Sequence, residues 1–142
     1  MKAALYDSSV YVSALRRGDR GVLSIRRLDS GSVVWLSAIV LEELYAGVNQ
    51  GGLPLVERLE RDFDRANRIL VPNLSDWTET GRVLSRLATK YDYEQIGRGR
   101  LTNDAVIAMS AGRLGVCVMT ANERDFRRLA EFRPFQWQVT VI

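Results

Sequence analysis

The chain predicts an α/β three-layer sandwich, a mostly parallel sheet of about five strands with helices on both faces. Short apolar, β-rich runs alternate along it with longer stretches of helical periodicity. Their order, β-α-α-β-α-α-β-α-α-β-α-β, is that of parallel strands joined by right-handed crossovers. A length of 142 residues with 46% hydrophobic content makes one ordinary domain, 1–142, with no repeat, linker or composition break.

Each element has its own signal. The β-rich runs are residues 3–6, 33–36, 69–71, 116–120 and 139–142. Residues 9–15 and 22–28 read as short helices. Ser37 is a good N-cap for a helix reaching about Gly47. Pro54 stands at a favoured helix start, ahead of Leu55, Leu59, Phe63 and Ala66. Ser75 or Asp76 caps a run through Tyr91, and Thr102 caps a helix over 103–114 that stops at Gly115. Asn122 opens a last helix to about Glu131. Residues 91–100, with Gly97-Arg98-Gly99-Arg100, read as a flexible loop.

Composition narrows the chemistry. The chain has no histidine, which removes Ser-His-Asp triads, Cys-His pairs and His-bound zinc. One cysteine, Cys117, excludes an internal disulfide framework and any multi-cysteine metal site. An enzyme of this composition must work with carboxylates, hydroxyls, Lys, Arg or a metal ion held by oxygen. No run is long enough to span a bilayer and Asp7 interrupts any signal-like start, so the expectation is a cytoplasmic protein without membrane contact. The net charge is +3, spread evenly, and every basic residue except Lys2 and Lys90 is Arg. That balance permits a nucleic-acid partner without demanding one.

Ligands of open α/β sheets collect beyond the carboxyl ends of the strands, so polar residues there are candidates. Asp7 directly follows the first strand, where a helix N-cap and a metal-binding carboxylate are equally good readings. Val40, Leu41, Leu44 and Val48 form the buried stripe of the next helix. Glu43 lies nearer that stripe than Glu42, with Gly47 leaving space above it. Asp104 falls in the first turn of an almost wholly apolar helix, favoured there by the helix dipole and held rigidly enough to bind a metal. Asn122 and Asp125 resemble a capping pair, while contact of Asn122 or Thr120 with a metal-bound water is a comparable reading. Trp35, Trp77 and Trp137 read as core or interface packing rather than base-stacking platforms.

Oxygen ligands without His or Cys select Mg²⁺ or Mn²⁺, which can polarise a phosphoryl oxygen and acidify water. Arg98 and Arg100 read either as a hold on the scissile strand or as solvated loop residues. A phospho-receiver domain fails, because residues 69–73 supply no acceptor acid and no Lys follows Lys90. A haloacid-dehalogenase-type phosphatase fails because Ser9 stands where its second Asp is needed.

Four segments, Asp7-Ser8-Ser9-Val10, Leu36-Ser37-Ala38-Ile39-Val40-Leu41-Glu42-Glu43-Leu44-Tyr45-Ala46-Gly47, Leu101-Thr102-Asn103-Asp104-Ala105-Val106-Ile107-Ala108 and Thr120-Ala121-Asn122-Glu123-Arg124-Asp125-Phe126, resemble the PIN domain. Within it they are most similar to the VapC toxins of prokaryotic toxin–antitoxin pairs. No single motif is specific; four in this order and spacing, in a chain of this size, are considerably more so. The resemblance implies an Mg²⁺-dependent endoribonuclease, with Mn²⁺ an alternative ion, in which Asp7, Glu43 and Asp104 bind the metal and Glu43 orients or deprotonates the attacking water. Asn122 matches the fourth polar position, where many members carry Asp. The implied partners are an RNA substrate, a second copy in a homodimer, and a small antitoxin covering the acidic pocket. A catalytically silent RNA- or protein-binding module on the same fold is the alternative.

Overall fold

The computed structural model describes residues 2–18, 32–92 and 100–140. Ala4, Leu5 and Tyr6 are apolar without alternation, as suits a strand covered on both faces. That strand, β1 (Lys2–Tyr6), lies in the middle of a parallel sheet with β2 (Ser32–Ser37), β3 (Ile69–Leu70), β4 (Cys117–Thr120) and β5 (Trp137–Val139). The strand order is β3-β2-β1-β4-β5, with Leu5 beside Trp35 on one side and Val118 on the other. The chain leaves β1 first in one direction and then crosses back to β4. The order therefore reverses between these two strands, and a crevice opens at their carboxyl ends.

The described helices are α1 (Ser8–Arg16), α2 (Ala38–Gly47), α3 (Leu53–Arg65), α4 (Leu74–Tyr91), α5 (Arg100–Arg113) and α6 (Glu123–Phe132). They pack as two groups, α1 and α3 against α2, and α4, α5 and α6 against one another. Right-handed crossovers put the groups on opposite faces of the sheet, giving the expected sandwich. The core is built from Leu5, Leu36, Val40, Leu44, Phe63, Leu70, Leu87, Ile107, Val118 and Phe126, all buried. Helix α5 is its most immersed element, buried at every position from Ala105 to Ala111. It ends where Gly115 takes φ +68°, a conformation costly for any residue with a Cβ, and the Val116 amide closes back on the Ala111 carbonyl at 2.9 Å.

Most boundaries shift by a residue or so from the sequence reading, and three of the differences have a clear physical reason. The α4 cap is Asn73, not Ser75 or Asp76; Asp76 is the reciprocal partner, bonding the Asn73 amide at 2.9 Å while Asn73 bonds the Asp76 amide. Helix α5 starts at Arg100 and not after Thr102, because Leu101 is buried and draws an extra turn into the core. Strand β5, Trp137–Val139, starts two residues ahead of the expected 139, since pairing with the short β4 sets Trp137 opposite Val118; residues 141–142 of the expected run lie outside the described residues. Trp35 and Trp137 pack against the core, but Trp77 stands 47% exposed on α4 and contributes nothing to it. The proposed helix over 22–28, residues 93–99 with Arg98, and the Arg100 side chain lie outside the described residues.

Asp76 also ties the second helix group together. Its carboxylate, only 2% exposed, accepts from Arg113 Nε at 2.9 Å and Nη2 at 3.0 Å, joining the first turn of α4 to the last turn of α5. Asp76→Ala removes this fork and half of the capping box. It should lower the unfolding free energy by about 2–4 kcal/mol in urea denaturation. Leu74→Ala, on the exposed side of the same turn, should change it by under about 0.5 kcal/mol. Equal midpoints for the two variants would show that Asp76 locks nothing.

Candidate active site

The end of β1 delivers Asp7 into the crevice with its backbone fixed. The Asp7 amide donates to the Met119 carbonyl of β4 at 3.0 Å, so the residue is still tied to the sheet as α1 begins. Its side chain caps α1, accepting from the Ser9 amide at 3.1 Å and from the Ser9 hydroxyl. The other carboxylate oxygen, Oδ2, accepts from the Thr120 hydroxyl at 2.5 Å. Thr120 in turn accepts from the Asn122 amide at 2.9 Å, which fixes its hydroxyl hydrogen toward Asp7. Asp7 is 2% exposed, and burial raises its pKa above the usual aspartate range despite these bonds.

Glu43 arrives from α2, where the helical period buries Val40 and Leu44 and leaves Glu43 half-buried beside them. Glu42, one position back, is exposed. Burial raises the Glu43 pKa; hydrogen bonds from the side chains of Ser8 and Asn103 oppose the shift, while the charges of Glu42 and Asp7 add to it. Even so, Glu43 Oε1 is buried without a hydrogen-bond partner. A Cβ built at Gly47 would meet nothing within 4 Å, so the space inferred there from sequence exists.

Asp104 is 7% exposed on α5. Because α5 begins at Arg100, Asp104 stands a full turn inside the helix, not in the first turn as the sequence reading had it. The helix-dipole explanation for an acid at this position is correspondingly weaker. Asn122 caps α6: its Oδ1 accepts from the Asp125 amide at 3.4 Å and its Nδ2 donates to Asp125 Oδ2 at 2.8 Å. Both ends of the Asn122 amide thus serve the helix, and Asp125 takes the capping role favoured for it.

Asp7, Glu43, Asp104 and Asn122 all line one cleft of about 400 Å³. Its other walls include Ser9, Ser13, Arg16 and Arg17 of α1 and the turn that follows it. The carboxylates border the same space without closing on one point, and among the described residues no three His, Cys, Asp or Glu side chains are grouped to hold an ion. The donor set still fits a hard cation that keeps part of its water shell. It is all oxygen, it places the Asp7 charge close enough to raise the Glu43 pKa, and it leaves Glu43 Oε1 unsatisfied. Sequence reasoning did not single out Ser13, Arg16 or Arg17, which lie past the strand end, a full helix away from Asp7. Nor did it anticipate that Thr120 would bond Asp7, a contact no local pattern encodes.

The sequence profile of the PIN domain matches residues 4–132, from within the first strand to the end of α6. The chain belongs to the PIN domain family. The fold agrees with that of solved structures at low sequence identity. A DNA-bound VapBC from Salmonella typhimurium superposes with a TM-score of 0.70 at 21% identity, covering 98% of both chains. VapBC2 from Rickettsia felis, bound to a fragment of its promoter DNA, gives 0.63 at 18%, covering 98% of this chain and 99% of that one. VapBC-1 from nontypeable Haemophilus influenzae gives 0.60 at 20%, covering 96% and 97%. No curated protein matches the chain in sequence. Among the described residues of this PIN domain, no helix is long and apolar enough to cross a membrane.

The raised Glu43 pKa carries a stability consequence with a definite sign. A carboxyl whose pKa is higher folded than unfolded opposes folding once pH exceeds the unfolded value, and does so fully above the folded one. Glu43→Gln should therefore be more stable than the wild type at pH 7 in chelating buffer. The difference should fade as pH falls through the folded pKa toward the usual glutamate value of 4.5. Chemical denaturation across that range measures it, and a variant less stable at neutral pH would contradict the assignment.

Proposed function

We propose that this PIN domain is a metal-dependent endoribonuclease, the toxin of a toxin–antitoxin pair, cutting RNA phosphodiesters at the Asp7–Glu43–Asp104 cleft. The observation that carries the reading is the meeting of these three acids, from β1, α2 and α5, at the point where the strand order reverses. The family match and the likeness in fold to VapBC structures support it.

Asp7, Asp104 and Glu43 are the residues that would hold Mg²⁺, or Mn²⁺ in its place. Such an ion supplies polarisation of a phosphoryl oxygen and acidification of water. Thr120 and Ser9 keep the Asp7 carboxylate in one orientation, so no rotamer has to be found when substrate arrives. Glu43, made more basic by burial, orients the attacking water and accepts its proton. Asn122 holds the start of α6 and, through its amide, the Thr120 hydroxyl; we assign it a positioning role rather than contact with the ion. This reading implies a small cognate antitoxin, a homodimer and the cytoplasm as the setting; of these, the likeness in fold to VapBC structures supports the antitoxin.

Purified protein should cleave single-stranded RNA with Mg²⁺ or Mn²⁺ and lose that activity in chelator. Asp7→Asn, Glu43→Gln and Asp104→Asn should each lower the rate by about 100-fold or more. Equal cleavage by the wild type and an Asp7→Ala, Asp104→Ala double variant would sink the proposal. RNA binding with no cleavage under any divalent ion would favour the silent binding module instead.

A further inference from the structure

The acids that would bind a metal present a difficulty for an RNA substrate, since a polyanion approaching Asp7, Glu43 and Asp104 is repelled along its length. A metal ion compensates at the scissile phosphate, but the flanking phosphates need cations of their own. Arg16 and Arg17 are the only cationic side chains lining the cleft among the described residues. Both are exposed, and neither forms an ion pair with a described carboxylate, unlike Arg82, Arg113, Arg127 and Arg133. Placement at the carboxyl end of α1 agrees with the helix dipole, yet that accounts only for a cation at this helix end, not for two unpaired ones bordering an acidic cleft.

Helix geometry turns these positions into a direction. Ser9, Ser13 and Arg16 recur at spacings of four and three, on one face of α1, with Arg17 beside them. At 1.5 Å per residue, Arg16 lies about 14 Å along the helix from Asp7. The Ser9 hydroxyl is committed to Asp7, which leaves Ser13 as the hydroxyl of this track that faces the cleft. We infer that this face of α1 is the track for the single-stranded RNA backbone. Arg16 and Arg17 grip phosphates on one side of the scissile bond, and Ser13 lies between them and the acids. The inference rests on the ribonuclease reading and adds to it which way the strand runs from the cut.

The test measures KM for a single-stranded RNA oligomer in fixed Mg²⁺ over a range of monovalent salt. Arg16→Gln with Arg17→Gln should raise KM by about tenfold, and the log–log salt dependence should flatten by about 1.4, the loss of two single-strand phosphate contacts. Arg16→Lys with Arg17→Lys should restore most of the salt slope, which a merely structural role would not require. Arg17→Gln alone, at the exposed cap position, should give about half the change and guards against loss of folding in the double variant. Arg82→Gln and Arg127→Gln, neither of which lines the cleft, should stay within about twofold of the wild type. If the wild type cuts RNA but the double Gln variant keeps its KM and salt slope, the track is overturned and the nuclease reading stands. A wild type that cuts no RNA overturns both.

Discussion

Burying a carboxylate at the end of a central strand removes it from water, and the protein must replace the lost hydration with donors of fixed position. At Asp7 these are the Ser9 amide and hydroxyl and the Thr120 hydroxyl. The same side chain starts α1, and the same residue's amide is held by β4. One aspartate therefore sets the direction of the first helix, the junction of the two middle strands and the floor of the cleft. The other acids are placed relative to it, Glu43 by the inward turn of α2 and Asp104 by the depth of α5.

Asp76 shows how the chain treats a buried acid whose only task is structural. It lies as deep as Asp7 but is gripped by both nitrogens of one side of the Arg113 fork, with a helix cap besides. Asp7 and Glu43 have no such arginine among the described residues, only hydroxyl, amide and side-chain amide neighbours. The difference separates a carboxylate neutralised in place from a pair left basic and desolvated, in which Glu43 keeps one oxygen without a partner. Groups kept in that condition in a crevice mark a functional site more often than a structural one.

Most of this was legible in the amino-acid order. The sandwich, the parallel sheet and the caps at Ser37 and Asn122 follow from periodicity and local hydrogen-bonding chemistry, which are short-range signals. Glu43 could be preferred to Glu42 because helical spacing alone ranks their distance from the buried stripe. What escaped depends on contacts between segments. Leu101 lengthens α5 only because a core is there to receive it, and β5 takes its register from the four residues of β4. Trp77 read as core or interface packing, and the core is ruled out: one residue from the buried Asp76, the helix rotates it outward. The Thr120–Asp7 bond joins residues 113 apart in sequence, beyond the reach of any local pattern.

That separation governs when the site comes into being. A chain emerging from a ribosome exposes Asp7 first, then Glu43, long before β4 exists to flank β1 or Thr120 to orient the first carboxylate. Parallel pairing between such distant segments has a large loop-closure cost and forms late compared with local helices. The nascent molecule thus carries two of its acids in an unassembled and inert form, and the cleft closes only once the last third of the described chain has docked. The site is therefore a property of the finished sheet and of no shorter stretch of the chain.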